Sequence, residues 1–275
     1  ETPGGKHMNV FSTGVEIRFV INSGTAVIRM QSIIDENINA CFHVYRGGIQ
    51  GGYPDHENNT HVPNEPINFE FGNVGNSDMA RLAGDSFDPE VVRIIFDRGA
   101  YKILDISGDI TPPSKEQTPE KTLLCYGSSI THGSNSIDTS HTWASLLAHN
   151  LDMDLRNLGM AGSCYMEPEV IDYIASEGEC GAWDTAVMEL GINVLFWEES
   201  KIRERVENAI RQVAGRNKDK KVYVISPFYC GDDYLGKTEP DTWRKIIKET
   251  VDKLAFDNVI LINGLDLLGD VTLLS

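Results

Sequence analysis

Apolar and polar side chains alternate along several short segments in the first 110 residues of the chain. Alternation is typical of a strand with one buried face, because successive side chains point to opposite sides of a sheet. Turn residues such as 22–24 and 97–100 separate the segments, the latter as a hairpin turn. We therefore predict an all-β unit, a β-sandwich of jelly-roll type, with strands at residues 15–19, 26–30, 67–71, 91–96 and 101–106.

The pattern changes after residue 120. Largely apolar runs at 123–125, 185–190, 222–225 and 259–262 are typical of buried parallel strands. Between them, apolar residues recur at helical spacing in 198–214, in 243–254, and after Ser140, a candidate N-cap. This alternation predicts a parallel sheet flanked by helices.

A proline-rich stretch separates these two patterns. Residues 111–120 hold three prolines and no large apolar side chain, which is typical of a linker. We therefore predict a β domain at 1–110, the linker at 111–120 and an α/β domain at 121–275.

The composition of the chain excludes some classes of binding partner and indicates where the protein is located. A formal charge of −17 argues against nucleic acid and against an anionic membrane surface, because both are themselves negative. No apolar run reaches the roughly 18 residues of a membrane span. The start of the chain lacks the apolar core of a signal peptide, and the five cysteines fit a reducing compartment. We expect a cytoplasmic protein, with secretion left open, and the composition leaves its oligomeric state open.

The sequence offers little for a metal or a cofactor. It contains no C-x-x-C or H-E-x-x-H spacing. The glycine-rich residues 47–53 lack the lysine of a phosphate-binding loop and predict a hairpin. His56 and His61 lie in one polar stretch, but two histidines do not complete a metal site. We therefore expect no metal and no cofactor.

Two adjacent serines follow the first apolar run of the second half. Residues 123–133 read LLCYGSSITHG, so Ser128 and Ser129 lie where the strand ends at a glycine. A serine on such a turn is a candidate nucleophile. The alternative is a polar loop that caps the next helix, and this segment alone favours that alternative.

Two further segments follow apolar runs: NLGMAGS at 157–163 and ELGIN at 189–193. Because ligands bind beyond the carboxyl ends of parallel strands, we expect the three loops to converge at one edge of the sheet. Taken alone, Gly162 is explained as a turn glycine and Asn193 as a helix N-cap.

In order and spacing, the three segments resemble the first three sequence blocks of the SGNH (GDSL-type) hydrolase family, over residues 121–275. The resemblance implies a flavodoxin-like three-layer α/β/α fold. It makes Ser129 the nucleophile, with Ser128 at the position where the family usually has aspartate. It also implies an oxyanion hole made by the amides of Ser129 and Gly162 and by the side chain of Asn193.

The same resemblance assigns further residues. Ser128, His132, Cys164 and Tyr165 become candidates for the substrate cleft, although Cys164 and Tyr165 fit core packing equally well. The catalytic histidine and aspartate belong to the family's last block, D-x-x-H, and we expect them beyond Ser275. His132 follows Ser129 too closely to point well for proton abstraction.

A jelly-roll module ahead of an SGNH domain resembles two-domain carbohydrate esterases. The resemblance implies a serine esterase or deacetylase whose substrate is an O-acetylated sugar or another small acyl ester. Two alternatives stay open: a non-catalytic carbohydrate-binding protein with a degenerate hydrolase domain, and an acyltransferase of the same fold.

Overall fold

The computed structural model describes residues 10–33, 40–54, 60–72, 81–82, 84, 87–270 and 272. These residues pack into two compact units. The β unit comprises the described residues of 9–121 together with 135–154, and the α/β unit comprises those of 122–134 and 155–275. The sequence-based domain boundaries differ in placing 135–154 with the second domain, and they stay a prediction.

The β unit is built on one antiparallel sheet in the order β3-β2-β5-β1-β4, with β6 paired to β1. This confirms the predicted all-β unit, whereas the jelly-roll connection stays a prediction. The strands are β1 (Glu16–Ser32), β2 (Phe42–Arg46), β3 (Ile49–Gln50), β4 (Ile67–Gly72), β5 (Val91–Phe96) and β6 (Tyr101–Thr111).

Alternate residues of these strands form the core of the β unit. Phe42 and Phe69 are fully buried and meet edge to face, with ring centroids 5.0 Å apart. Edge-to-face packing suits aromatic rings because the positive edge of one ring meets the negative face of the other. The hairpin predicted over 47–53 is confirmed, since Tyr45 pairs with Gln50 across the β2–β3 turn.

Two predicted turns are wrong. Residues 22–24 lie inside β1, where the pairing register with β6 shifts around Ser23. Ser23 donates a hydrogen bond to Asp109 of β6 at 2.6 Å, which keeps this bulged segment in the sheet. Residues 97–100 do not form a hairpin turn, because β5 and β6 each pair with β1.

The α/β unit is built on a sheet in the order β11-β10-β9-β7-β8, in which β7, β9, β10 and β11 are parallel. This is the flavodoxin-like order, and the chain reverses direction across the sheet between β7 and β9. The predicted fold class is confirmed. The strands are β7 (Lys121–Gly127), β8 (Met153–Gly159), β9 (Thr185–Glu189), β10 (Lys221–Ile225) and β11 (Val259–Ile262).

The described α-helices are α1 (Ser129–His132), α2 (Trp143–Asn150), α3 (Pro168–Glu179), α4 (Glu199–Arg216), α5 (Gly231–Tyr234), α6 (Glu239–Leu254) and α7 (Gly264–Leu267). Short 3-10 turns lie at Lys115–Gln117, Thr139–His141 and Ile192–Val194. Helix α2 groups with the β unit.

Helix α4 has the predicted amphipathic character, because its apolar residues at 202, 206, 210 and 213 are fully buried. The N-cap of α2 is Thr142 and not Ser140, since the Thr142 side chain accepts the Ser145 amide. Among the described residues, no helix is long and apolar enough to cross a membrane.

Candidate active site

The two serines of the first block lie on a tight strand-to-helix turn, residues 127–133, which we call the nucleophile turn. β7 ends at Gly127 and α1 begins at Ser129, so Ser128 is the N-cap residue. Its hydroxyl accepts the Ile130 amide at 3.2 Å. Capping satisfies an amide that the short helix cannot bond internally.

Ser128 and Ser129 have different environments. Ser128 is fully buried, and its amide and its hydroxyl both donate to Glu189 Oε2, at 2.7 and 2.6 Å. It therefore does not face a cleft. Ser129 is half-buried, and its hydroxyl makes no hydrogen bond within the described part of the chain. Of the two serines, Ser129 has the hydroxyl that is available to a substrate.

Glycine at position 127 follows from close packing under the turn. A Cβ on Gly127 would lie 2.1 Å from Thr131 Oγ1 and 2.6 Å from Glu189 Oε2. Both distances are too short for any side chain, and Thr131 itself donates to Glu189 at 3.2 Å. The glycine thus lets the Thr131 and Glu189 side chains meet directly beneath Ser128.

Glu189 lies at the end of β9 and is completely buried. Its Oε2 accepts hydrogen bonds from Ser128 and Thr131, whereas Oε1 has no partner among the described residues. Burial raises the pKa of Glu189 to about 7, although the hydrogen bonds from Ser128 and Thr131 lower it. Sequence reasoning did not assign this residue a role. The available signal was a carboxylate that closes an otherwise apolar strand.

The nucleophile turn and the end of β8 with the loop that follows it are joined by three polar contacts. The Met160 amide donates to Gly127 O at 2.7 Å, and Asn157 Nδ2 donates to Thr131 O at 2.9 Å. His132 is buried, with Nδ1 3.2 Å from Gly159 O. The imidazole therefore packs the two loops together and does not line an open cleft.

Gly162 lies in the loop after β8, where its φ is +67°. Side chains rarely adopt that conformation, so the turn itself requires glycine. Gly162 is exposed, and a Cβ built on it would meet nothing within 4 Å. The open space in front of this backbone is compatible with a ligand atom that approaches its amide.

Asn193 lies within the 3-10 turn that follows β9 and is half-buried. Its Oδ1 accepts the Cys164 amide at 3.1 Å. This bond fixes the carboxamide and leaves Nδ2 to donate. Asn193 is therefore not a helix N-cap. Cys164 is 1% exposed, with Sγ 3.7 Å from Glu189 O, so its thiol belongs to the core and not to a cleft.

The structure thus joins all three predicted segments at the carboxyl ends of β7, β8 and β9. The contacts are Met160 to Gly127, Cys164 to Asn193, and Ser128 to Glu189. This is the edge of the sheet where the strand order reverses and where such folds bind ligands. The meeting of the Ser129 hydroxyl, the Gly162 amide and the Asn193 carboxamide around one atom stays a prediction.

Aromatic side chains lie on the same loops. Tyr165, which the sequence marked as a cleft candidate, has its ring centroid 5.6 Å from that of Trp197. Phe196 packs edge to face against Trp197 and is 78% exposed. We call Tyr165, Phe196 and Trp197 the aromatic cluster. Sequence reasoning missed Phe196 and Trp197, although they follow Asn193 closely in the chain.

Comparison with solved structures shows the same fold in acyl-transferring enzymes. A salicylyl-acyltransferase from a tetracycline biosynthetic pathway aligns with a TM-score of 0.72 at 14% identity, over 98% of this chain and 76% of its own. A family two carbohydrate esterase from Cellvibrio japonicus aligns with a TM-score of 0.62 at 13% identity, over 92% of this chain and 80% of its own.

A family two carbohydrate esterase from Clostridium thermocellum, solved in complex with cellohexaose, aligns with a TM-score of 0.61 at 14% identity, over 91% of this chain and 82% of its own. No curated protein matches the sequence. The model of the GDSL-like lipase/acylhydrolase family matches residues 120–259, which is half of the chain and includes all three segments of the site. The chain belongs to this family.

Proposed function

We propose that this protein is a serine esterase that removes a small acyl group, most simply acetyl, from a carbohydrate through an acyl-enzyme on Ser129. The observation behind the proposal is the contrast between the two serines. Glu189 holds Ser128 rigidly in the core, while the Ser129 hydroxyl has no partner in the described chain. An unengaged hydroxyl at the carboxyl end of a parallel strand suits nucleophilic attack.

In the proposed reaction, Ser129 Oγ forms a bond to the ester carbonyl carbon while its proton passes to a base. The carbonyl oxygen becomes an oxyanion, which would accept hydrogen bonds from the Ser129 and Gly162 amides and from Asn193 Nδ2. A fixed donor of this kind lowers a barrier by about 3–4 kcal/mol. The alcohol leaves with the proton, and water then releases the acid from Ser129 by the same steps.

No sequence motif within residues 1–275 identifies the general base of this mechanism. The family resemblance assigns it to a histidine of the last sequence block, for which this sequence offers no match. His132 is the histidine nearest to Ser129 in the sequence, and its buried ring bonds to Gly159 O. We therefore keep the family histidine, and not His132, as the proposed base.

The aromatic cluster supports a substrate with a ring. An exposed Phe196 beside Trp197 offers an apolar surface of the kind that lines ligand sites, a few residues from Asn193. The esterase solved with cellohexaose has a similar fold.

Replacing Phe196 with Ala should raise KM for an acetylated oligosaccharide and leave kcat unchanged, because the contact exists equally in the ground and transition states.

Hydrolysis of p-nitrophenyl acetate by the full-length protein tests the proposal directly. We expect Ser129→Ala to reduce turnover by on the order of 10⁶, the loss seen when a catalytic serine is removed. Ser200→Ala, at an exposed position of the same unit, is the control and should keep full activity. Equal turnover by wild type and Ser129→Ala would exclude an esterase that uses Ser129, and turnover at the uncatalysed rate in both would favour the non-catalytic carbohydrate-binding protein.

A second candidate is transfer of the acyl group to an alcohol in place of water. The observation in its favour is the similar fold of the salicylyl-acyltransferase. Both reactions share the Ser129 acyl-enzyme and differ only in the acceptor. Product analysis with an added sugar alcohol separates them: new ester identifies a transferase, and free acid alone identifies a hydrolase.

A further inference from the structure

A cluster of three potential metal ligands lies in the β unit, outside the candidate active site. Cys41 precedes β2 and His43 is the second residue of that strand, so their side chains point to the same face. Asp97 follows β5, the neighbouring strand, and its amide donates to Cys41 O at 2.9 Å. Strand alternation and strand pairing together bring the three side chains to one place.

The donor atoms are closely spaced. His43 Nε2 lies 3.6 Å from Asp97 Oδ2, Cys41 Sγ lies 3.8 Å from the same oxygen, and all three atoms lie within 4.8 Å of one another. Ligands at about 2.0–2.3 Å from a tetrahedral zinc ion are separated by roughly 3.3–3.8 Å from each other. The observed spacing therefore approaches that of a metal site without large movement.

Asp97 and His43 each have another contact that leaves one donor atom facing the cluster. Asp97 Oδ1 accepts the Arg98 amide at 2.7 Å, so Oδ2 faces the other two groups. The Gln50 side-chain amide lies 3.5 Å from His43 Nδ1. His43 Nε2 is buried and has no hydrogen-bond partner in the described part of the chain. The nearest acceptor is Asp97 Oδ2 at 3.6 Å, which is too far for a hydrogen bond, so this buried nitrogen lacks a well-formed partner.

We propose that Cys41, His43 and Asp97 bind a divalent transition metal ion of the zinc class, with one coordination position left for water or another ligand. One thiolate, one imidazole and one carboxylate form a donor set that suits Zn²⁺ and Co²⁺ and not Mg²⁺ or Ca²⁺. The positive ion offsets the repulsion between the thiolate and the carboxylate, and it gives His43 Nε2 a closer partner than Asp97 Oδ2 at 3.6 Å.

A cysteine-histidine-aspartate nucleophile is the competing interpretation, and the geometry opposes it. In such a triad the histidine lies between the cysteine and the carboxylate. Here Cys41 Sγ and His43 Nε2 both approach the same oxygen of Asp97. Burial and the Asp97 charge also raise the pKa of the Cys41 thiol to about 11, which disfavours the nucleophilic thiolate in the metal-free protein.

Sequence reasoning missed this cluster because its ligands come from two strands that only the fold brings together. It considered His56 and His61 instead. His56 lies outside the described residues. His61 pairs with Cys41 in an isolated β-bridge and is exposed, which places it on the same side of the sheet as Cys41.

Titration of the full-length, metal-free protein with Co²⁺ tests the proposal. We expect one equivalent to produce the thiolate-to-cobalt charge-transfer absorption and the intense visible bands of four-coordinate cobalt, and Zn²⁺ to abolish both. Cys41→Ser should lose the charge-transfer band. Cys230→Ser, a partly buried cysteine of the other unit, should keep it. No band in wild type, or an undiminished band in Cys41→Ser, would overturn the proposal.

A second variant keeps the test decisive if Cys41→Ser does not fold. Asp97→Asn has nearly the same shape and can still accept the Arg98 amide. We expect its Zn²⁺ affinity to fall by at least about 100-fold, since even indirect partners of metal ligands change affinity 10–100-fold. Circular dichroism establishes that the variant is folded. Affinity equal to wild type would exclude Asp97 as a ligand, and the proposed site with it.

Discussion

The two units each bury a glutamate, and they shift its pKa in opposite directions. In the β unit, the Glu16 side chain is 12% exposed and forms ion pairs with Arg93 at 2.7 Å and Arg18 at 2.6 Å. Burial alone would raise the pKa of Glu16, but Arg93 and then Arg18 overcome burial and lower it to about 2. Glu16 is therefore ionised throughout the neutral pH range.

In the α/β unit, the described residues that donate hydrogen bonds to Glu189 are all neutral. Two hydroxyls and one amide bind its Oε2, yet burial still raises its pKa to about 7. The comparison shows that neutral hydrogen bonds offset only part of the cost of burying a carboxylate, whereas two guanidinium groups exceed it. The group beneath the nucleophile turn thus titrates near neutral pH, while its counterpart in the β unit does not.

Removing Arg93, one of the two cations paired with Glu16, should have the largest effect on stability. Arg93→Met leaves Glu16 buried with a single cation and removes the guanidinium that stacks 3.7 Å above the Phe87 ring centroid. We expect the free energy of unfolding to fall by about 3–5 kcal/mol, as for other buried pairs that lose one partner. Urea unfolding at pH 7, followed by circular dichroism, measures the loss.

Arg29→Met is the matched control for Arg93→Met, because Arg29 is an exposed arginine of the same sheet. Exposed substitutions of this kind usually change stability by less than about 0.5 kcal/mol. If the two variants unfold at the same urea concentration, the ion pairs of Glu16 do not account for the stability of the β unit.

Replacing Glu189 with Gln should remove a pH-dependent term from the stability of the α/β unit. The pKa of Glu189 is about 7 in the folded protein and 4.5 in the unfolded chain, so the folded state binds more protons between these values. Wild-type stability therefore falls as pH rises from 4.5 to 7, by about 3 kcal/mol through this group. Glu189→Gln lacks this loss, so relative to wild type it should gain about that amount between pH 5 and pH 8.

The same pH window separates the two glutamates. The stabilising contribution of Glu16 is present above pH 4.5 and is lost as pH falls toward its folded pKa of about 2. Between pH 5 and pH 8, Glu16→Gln should therefore differ from wild type by a constant amount. Urea unfolding of both variants at the two pH values is the measurement. A constant difference for Glu189→Gln as well would mean that Glu189 is ionised throughout.

The local pattern was sufficient to predict most elements of the fold. Continuous apolar runs predicted β10 and β11 within one residue, because strands of a parallel sheet that is flanked by helices carry apolar residues on both faces. The turn predicted at 22–24 failed for a non-local reason. What holds Ser23 in the sheet is Asp109, a residue on another strand that no window around Ser23 includes.

The site shows the same division between local and non-local information. Ser129, Gly162 and Asn193 stand in short motifs whose order along the chain identifies the family. Glu189 stands in one of those motifs, but the motif predicts no role for it, because its importance depends on Ser128 and Thr131 of the turn after the neighbouring strand. A single sequence does not show which side chains on neighbouring strands are in contact with each other.

Ser128→Ala should cause the smallest loss of stability of these substitutions, and it best distinguishes the role of Ser128 from that of Ser129. It removes the cap of the Ile130 amide and one of the hydrogen bonds to Glu189, so we expect a loss of about 1–2 kcal/mol in the free energy of unfolding. Because that hydrogen bond lowers the pKa of Glu189, its removal should raise the pKa further and move the pH-dependent loss of stability to higher pH.

Esterase turnover of Ser128→Ala should stay within about tenfold of wild type, since a positioning contact is lost but the attacking hydroxyl is retained. Loss of turnover equal to that of Ser129→Ala, in a protein that is still folded, would show that Ser128 takes part in the chemistry and that the contrast between the two serines is not the basis of the site.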